Sequence, residues 1–146
     1  MAETLVARVS ATVNASRAKV WDAFVNPETI KRYTPVTNVV SEWRESSPIV
    51  WKGELEGKTF EMRGTVLRLD PQRLLEYEQA RPIFRPSRSP DGFHRVTIEL
   101  ADEGPQTHIS VTEQGNTTER ERAHTEGGWR LALANMKALL EGTSVV

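Results

Sequence analysis

Hydrophobic and polar positions alternate with a period of two through most of this chain and change to a helical period near its end. Between Leu5 and Val13, the positions Leu5, Val9 and Val13 fall on one side, with Arg8, Ser10 and Thr12 on the other. That is the pattern of a half-buried strand. Ser16 then stands where a helix cap belongs, ahead of a short segment whose buried face carries Val20, Trp21 and Phe24. Asn26-Pro27 reads as a cap followed by proline at the first helical position, opening a second short helix through Ile30 and Tyr33. From Val36 the period returns to two. It predicts strands over Val36–Glu45, Pro48–Glu56, Lys58–Leu69, Arg73–Ala80, Phe93–Ala101 and Thr107–Gln114, punctuated by Ser46-Ser47-Pro48, Glu56-Gly57, Asp70-Pro71, Pro90-Asp91-Gly92 and Glu103-Gly104-Pro105. Such short connections imply an antiparallel meander.

The last element runs from Thr118 to Glu141. Trp129, Leu133, Met136 and Leu140 recur there at helical spacing, Thr118 with Glu121 suggests a capping box, and Gly142 a stop. At about 1.5 Å per residue it is ~36 Å long, enough to cross a small domain. Inside it lies Gly127-Gly128, a pair costing roughly 1 kcal/mol per glycine relative to alanine. Two physical reasons could retain it: close approach of the helix backbone to a sheet, or a bend above a cavity. One strand, two short helices, six strands and a long helix make an α+β chain. Its curved antiparallel sheet of about seven strands has a single element long enough to cover its apolar face. A straight helix over a curved sheet leaves space, filled by side chains or by a ligand.

Composition narrows the partners. The 146 residues carry a net charge of −1 and suit a single domain spanning 1–146. No block of lysine and arginine tracks a phosphate backbone, so nucleic acid is not expected. The absence of an apolar leader, a membrane-length apolar run and any cysteine points to the cytoplasm and removes thiolate chemistry. The glycosylation patterns at Asn14 and Asn116 are discounted on the same ground. The three histidines, His94, His108 and His124, show no metal spacing, and no phosphate loop, nucleophile elbow or dinucleotide fingerprint is present. No metal or cofactor is therefore expected. His124 is placed away from the Trp129 stripe.

Three segments carry a resemblance. They are Val20-Trp21-Asp22-Ala23-Phe24 with Asn26-Pro27-Glu28; Arg63 to Pro71 continuing to Arg73, Leu75 and Tyr77; and Gly127-Gly128-Trp129 with Leu133 and Leu139-Leu140. In order and content they resemble the helix-grip fold of the START and birch-pollen-allergen-like (SRPBCC) superfamily. Within it they are most similar to the branch named after the activator of the heat-shock-protein-90 ATPase. The resemblance implies a helix-grip fold and a choice among lipid carriers, polyketide cyclases, oxygenase subunits and chaperone activators. It also allows a chaperone partner or a homodimer. Where many branch members have a histidine at the end of the last strand, this chain has Glu113.

Strand parity selects the side chains facing the space under the helix. Leu75, Tyr77 and Gln79 share one face, with Glu76 and Glu78 on the wet one. The same rule aligns His94, Val96, Ile98 and Leu100, and also Ile109, Val111 and Glu113; Phe60 and Met62 join them with Trp51 and Leu55. The predicted ligand contacts are Trp51, Phe60, Met62, Tyr77, Gln79, Val96, Ile98, Val111 and Glu113 from the sheet. Trp129, Leu133 and Met136 complete them from the helix. Mostly apolar concave faces with a few polar groups suit small molecules, and equally suit simple core packing. Glu113 is either a buried proton donor or base or a water-facing group at a strand end. His94 is either a mouth-facing acid or base or an exposed strand start. Tyr77 either bonds a ligand or is a core tyrosine with a satisfied hydroxyl. The loop Arg81 to Pro90, with three prolines and three arginines, reads either as a stiff flap at one end of the cavity, its arginines able to meet an anionic ligand head or an acidic partner, or as a solvated loop. Glu119 to Arg122 reads as a mixed, solvated helix start. Three functions follow: binding of an apolar or amphipathic small molecule, a cyclase- or aromatase-type enzyme, and a chaperone-directed interaction module.

Overall fold

The computed structural model describes residues 5–80 and 93–142; the Arg81 to Pro90 loop lies outside the described residues. Element order matches the periodicity: β1 (Leu5–Val13), α1 (Arg17–Val25), α2 (Pro27–Ile30), β2 (Val36–Ser41), β3 (Pro48–Leu55), β4 (Lys58–Asp70), β5 (Leu74–Ala80), β6 (Phe93–Glu103), β7 (Gln106–Asn116) and α3 (Glu119–Glu141). All strands join one antiparallel seven-stranded sheet in the order β1-β7-β6-β5-β4-β3-β2. This is the α+β helix-grip arrangement, with β1 and β2 at the margins.

Local chemistry sets the boundaries. Ser16 Oγ accepts from the Lys19 amide, Asn26 Oδ1 from Glu28 and Thr118 Oγ1 from Glu121, so each helix begins at a satisfied cap. Gly142, with φ 74°, closes α3 in the left-handed conformation. The Glu56-Gly57 turn takes positive φ at both residues (52° and 79°), the handedness a two-residue hairpin requires. β2 stops at Ser41, four residues before the expected Glu45. There Ser41 Oγ accepts from the Trp43 amide at 3.0 Å, and Ser47 Oγ accepts from Arg44 N and donates to Arg44 O. Hydroxyls thus compete with the ladder. At its other end β7 continues past the expected Gln114 to Asn116. Its register against β1 shifts between Leu5 and Ala7, opposite Asn116 and Glu113, and Gly115 takes φ 108°. This is a bulge that keeps the strand paired.

Helix α3 packs principally along β1 and the adjoining β7. Leu133 and Met136 are fully buried there, joining Val13, Val96, Ile98, Ile109 and Val111 in one core. Polar ties fasten the helix to the margin of the sheet. Arg8 N donates to Glu126 Oε2 (3.1 Å), Asn14 N donates to Glu141 Oε2 (2.8 Å), and Lys137 Nζ donates to Thr12 O (3.0 Å). Groups on the unpaired edge of β1 are thereby satisfied by helix side chains. No helix among the described residues is long and apolar enough to cross a membrane.

Candidate functional site

Because α3 covers β1 and β7, the inner faces of β3, β4 and β5 are left under its opposite flank. A cavity of about 430 Å³ occupies that space, within the range of small-molecule sites. Its sheet wall comprises Trp51 and Leu55 of β3, Phe60 and Met62 of β4, and Tyr77 and Gln79 of β5. Phe24 and Ile30 with the segment Tyr33 to Val36 close one end, and His124, Thr125, Gly128, Trp129 and Ala132 form the helix side. The glycines near this wall fall into two kinds. At Gly53 a Cβ would lie 2.4 Å from the Phe60 ring and 2.6 Å from Pro35 O. The bare backbone there lets Phe60 fold over its cross-strand partner. At Gly127 and Gly128 a Cβ would meet nothing within 4 Å. Close approach to the sheet, one of the two expected reasons for the pair, is therefore ruled out, and Gly128 borders the cavity instead.

Seven of the predicted contacts line the cavity: Trp51, Phe60, Met62, Tyr77, Gln79, Glu113 and Trp129. The other five, Val96, Ile98, Val111, Leu133 and Met136, sit in the core outside the lining, where α3 meets the sheet. Parity chose the correct face for them; position along the sheet removed them from the cavity. His124, exposed and off the Trp129 stripe, nonetheless borders the cavity beside Gly128.

The polar end of the cavity is a connected cluster. Glu113, inward on β7 opposite Val96, has a side chain only 13% exposed, so it is not the water-facing strand end that sequence allowed. Its Oε1 accepts from the Trp129 indole N–H at 2.9 Å, and its Oε2 lies 2.5 Å from His94 Nδ1. His94 is 2% exposed, contrary to the exposed strand start that was one alternative. Its Nε2 lies 3.0 Å from Glu121 Oε1, and Thr117 Oγ1 donates to Glu121 Oε2. A neutral imidazole carries one N–H, so serving both carboxylates requires a second proton on the ring or on a carboxyl group. The arrangement can therefore hold and pass protons between cavity and helix start. Among the described residues no group of side chains is placed to hold a metal ion.

Sequence reasoning missed Glu121, read as part of a solvated helix start. The capping-box spacing placed it in the first turn, but only the β6 register shows that His94 lies beside it. It also missed Asn116, fully buried, whose Nδ2 donates to Leu5 O and Glu113 O while Oδ1 accepts from Thr125 Oγ1 at 2.7 Å. The residue that matches a glycosylation pattern instead locks β1, β7 and α3 together beneath the cluster.

Tyr77 is 7% exposed and stacks in a tilted arrangement on Trp51, with ring centroids 5.1 Å apart. Burial first, then the Glu113 carboxylate and Tyr33, push its phenol well above the ordinary tyrosine range. Burial does the same for Tyr33, whose hydroxyl donates to Ala23 O.

The sequence matches the family model of Activator of Hsp90 ATPase homolog 1-like proteins over residues 14–141. The chain belongs to this family. No curated protein matches it. Among solved structures, ChR145 from Cytophaga hutchinsonii is similar at 40% identity and a TM-score of 0.81, covering 97% of each chain. The Aha1 dimer from Colwellia psychrerythraea shares 19% identity and the fold, with a TM-score of 0.72 over 94% of this chain and 96% of that one. Ara h 8.0201 shares the fold at 10% identity, with a TM-score of 0.76 over 96% and 99%.

Proposed function

We propose that the protein binds an apolar or amphipathic small molecule in the cavity between sheet and α3. The observation that carries this reading is the cavity of about 430 Å³, walled mainly by apolar and aromatic side chains with a few polar groups gathered at one end. Trp51, Phe60, Met62, Tyr77, Gln79, Glu113 and Trp129 contact the ligand, and the core behind them keeps the wall rigid. Native mass spectrometry of the purified protein tests the reading. A co-purifying lipid-like molecule supports it, and a panel of apolar compounds that all fail to bind the folded protein sinks it.

One observation favours a second reading, a cyclase- or aromatase-type enzyme: Glu113 borders the cavity while joined through His94 to Glu121. Glu113→Gln keeps the carboxyl shape and alters its proton exchange. Turnover lost with ligand binding retained is the outcome this reading requires; unchanged turnover removes it. The family description also supports a chaperone partner, and the Colwellia psychrerythraea structure, a dimer, supports a homodimer. Pull-down against the chaperone and light scattering test those two.

A further inference from the structure

Most polar groups around the cavity are committed to one another. The Trp129 N–H donates to Glu113, His94 presents both ring nitrogens to carboxylates, Thr125 donates to Asn116, and Thr34 donates to Ile30 O. Tyr77 differs. It lines the cavity at 7% exposure, and its hydroxyl makes no hydrogen bond to a described residue. Among the described residues no side-chain polar atom is sealed from solvent without a partner, so the Tyr77 oxygen opens on the cavity. A tyrosine hydroxyl left in this way awaits an acceptor.

Its setting fixes which acceptor. Val66 and Val96 flank Tyr77 across the ladder and Trp51 packs on its ring, so the hydroxyl is pre-aimed. Burial and the nearby Glu113 carboxylate keep the phenol protonated, hence a donor. A ligand carboxylate would stand beside the Glu113 carboxyl group, whose two oxygens are already taken by His94 and Trp129, and no lysine or arginine is among the described lining residues. Gln79, two residues along the same face, donates Nε2–H among the described residues only to the Met62 sulfur, a weak acceptor, at 3.1 Å.

We propose that Tyr77 is the recognition donor of the cavity, selecting apolar ligands that carry an uncharged acceptor, such as a carbonyl oxygen, over those carrying a carboxylate. This rests on the binding reading above. Three probes of one shape separate the cases by calorimetric titration: 2-acetylnaphthalene, its oxygen-free isostere 2-isopropenylnaphthalene, and 2-naphthoate. The wild-type protein is expected to bind the ketone about five- to tenfold more tightly than the alkene, the span of one neutral hydrogen bond, and naphthoate most weakly. Tyr77→Phe should bring ketone and alkene to parity, with the loss falling on the ketone. Equal ketone and alkene affinities in the wild type, naphthoate binding as tightly as the ketone, or an equal Tyr77→Phe penalty on both neutral probes overturns the assignment. In each of those outcomes ligand binding itself survives. Binding of none of the three to folded protein removes the underlying reading as well. The wild-type comparison needs no variant, so it stands even where Tyr77→Phe fails to fold.

Discussion

Tyr77 and Tyr33 are the only tyrosines in the chain, which makes their environment directly observable. Both phenols are pushed above the ordinary value of 10 by burial, and Tyr77 also by Glu113. Absorbance at 295 nm should therefore show almost no tyrosinate at pH 10, where an ordinary tyrosine is half ionised. A group whose folded value is raised stabilises fully below its unfolded value and loses that contribution as pH rises beyond it. Tyrosinate should appear together with alkaline unfolding, as followed by circular dichroism. A smooth titration near pH 10 with the fold intact contradicts this burial. At this scale the sequence was partly legible. Alternation placed Tyr77 and Glu113 on the inner face, since side-chain direction in a strand is strictly periodic. It could not show that Glu113 meets Trp129, or that Glu121 meets His94, because those contacts join elements distant in the chain.

At the scale of elements, the long helix carries a cost that its packing does not explain. Gly127 and Gly128 face open space, so alanine meets no obstacle at either site. Gly127→Ala should raise stability by about 1 kcal/mol in urea denaturation, the helix-propensity difference. Gly128→Leu should leave the fold intact and lower ligand affinity by projecting into the cavity, read by titration with a bound probe. Unimpaired binding in that variant would place the ligand elsewhere. Here the helix itself, its cap at Thr118 and its stop at Gly142 were legible from period and punctuation. Its crossing point was not. Leu133 and Met136 share a stripe with Trp129, yet they fill the core over β1 and β7 while Trp129 alone of the three reaches the cavity. Periodicity gives a direction around an axis, never the place where two elements cross.

Across the whole molecule, α3 and the sheet are held by an apolar core and by carboxylates at both ends of the helix. Hydrogen bonding from the Arg8 amide, with Arg122 beside it, holds Glu126 below the usual carboxylate range. Lys137 and the Asn14 amide do the same for Glu141. Groups with lowered values stabilise above the ordinary carboxylate range and lose that contribution as pH falls through their own lowered values. Stability against thermal unfolding should thus fall progressively below about pH 4.5, and a Glu126→Gln, Glu141→Gln double variant should show a shallower acid dependence. An unchanged acid slope would mean that other carboxylates govern it.

Those same ties bear on how copies of the chain can associate. Glu126, Lys137 and Glu141 occupy backbone groups that an incoming strand would need along β1. At the opposite margin no described strand pairs with the outer side of β2, whose Val40 is exposed. An incoming strand therefore finds the β1 border already stoppered by the molecule's own helix, and strand addition on that side is blocked.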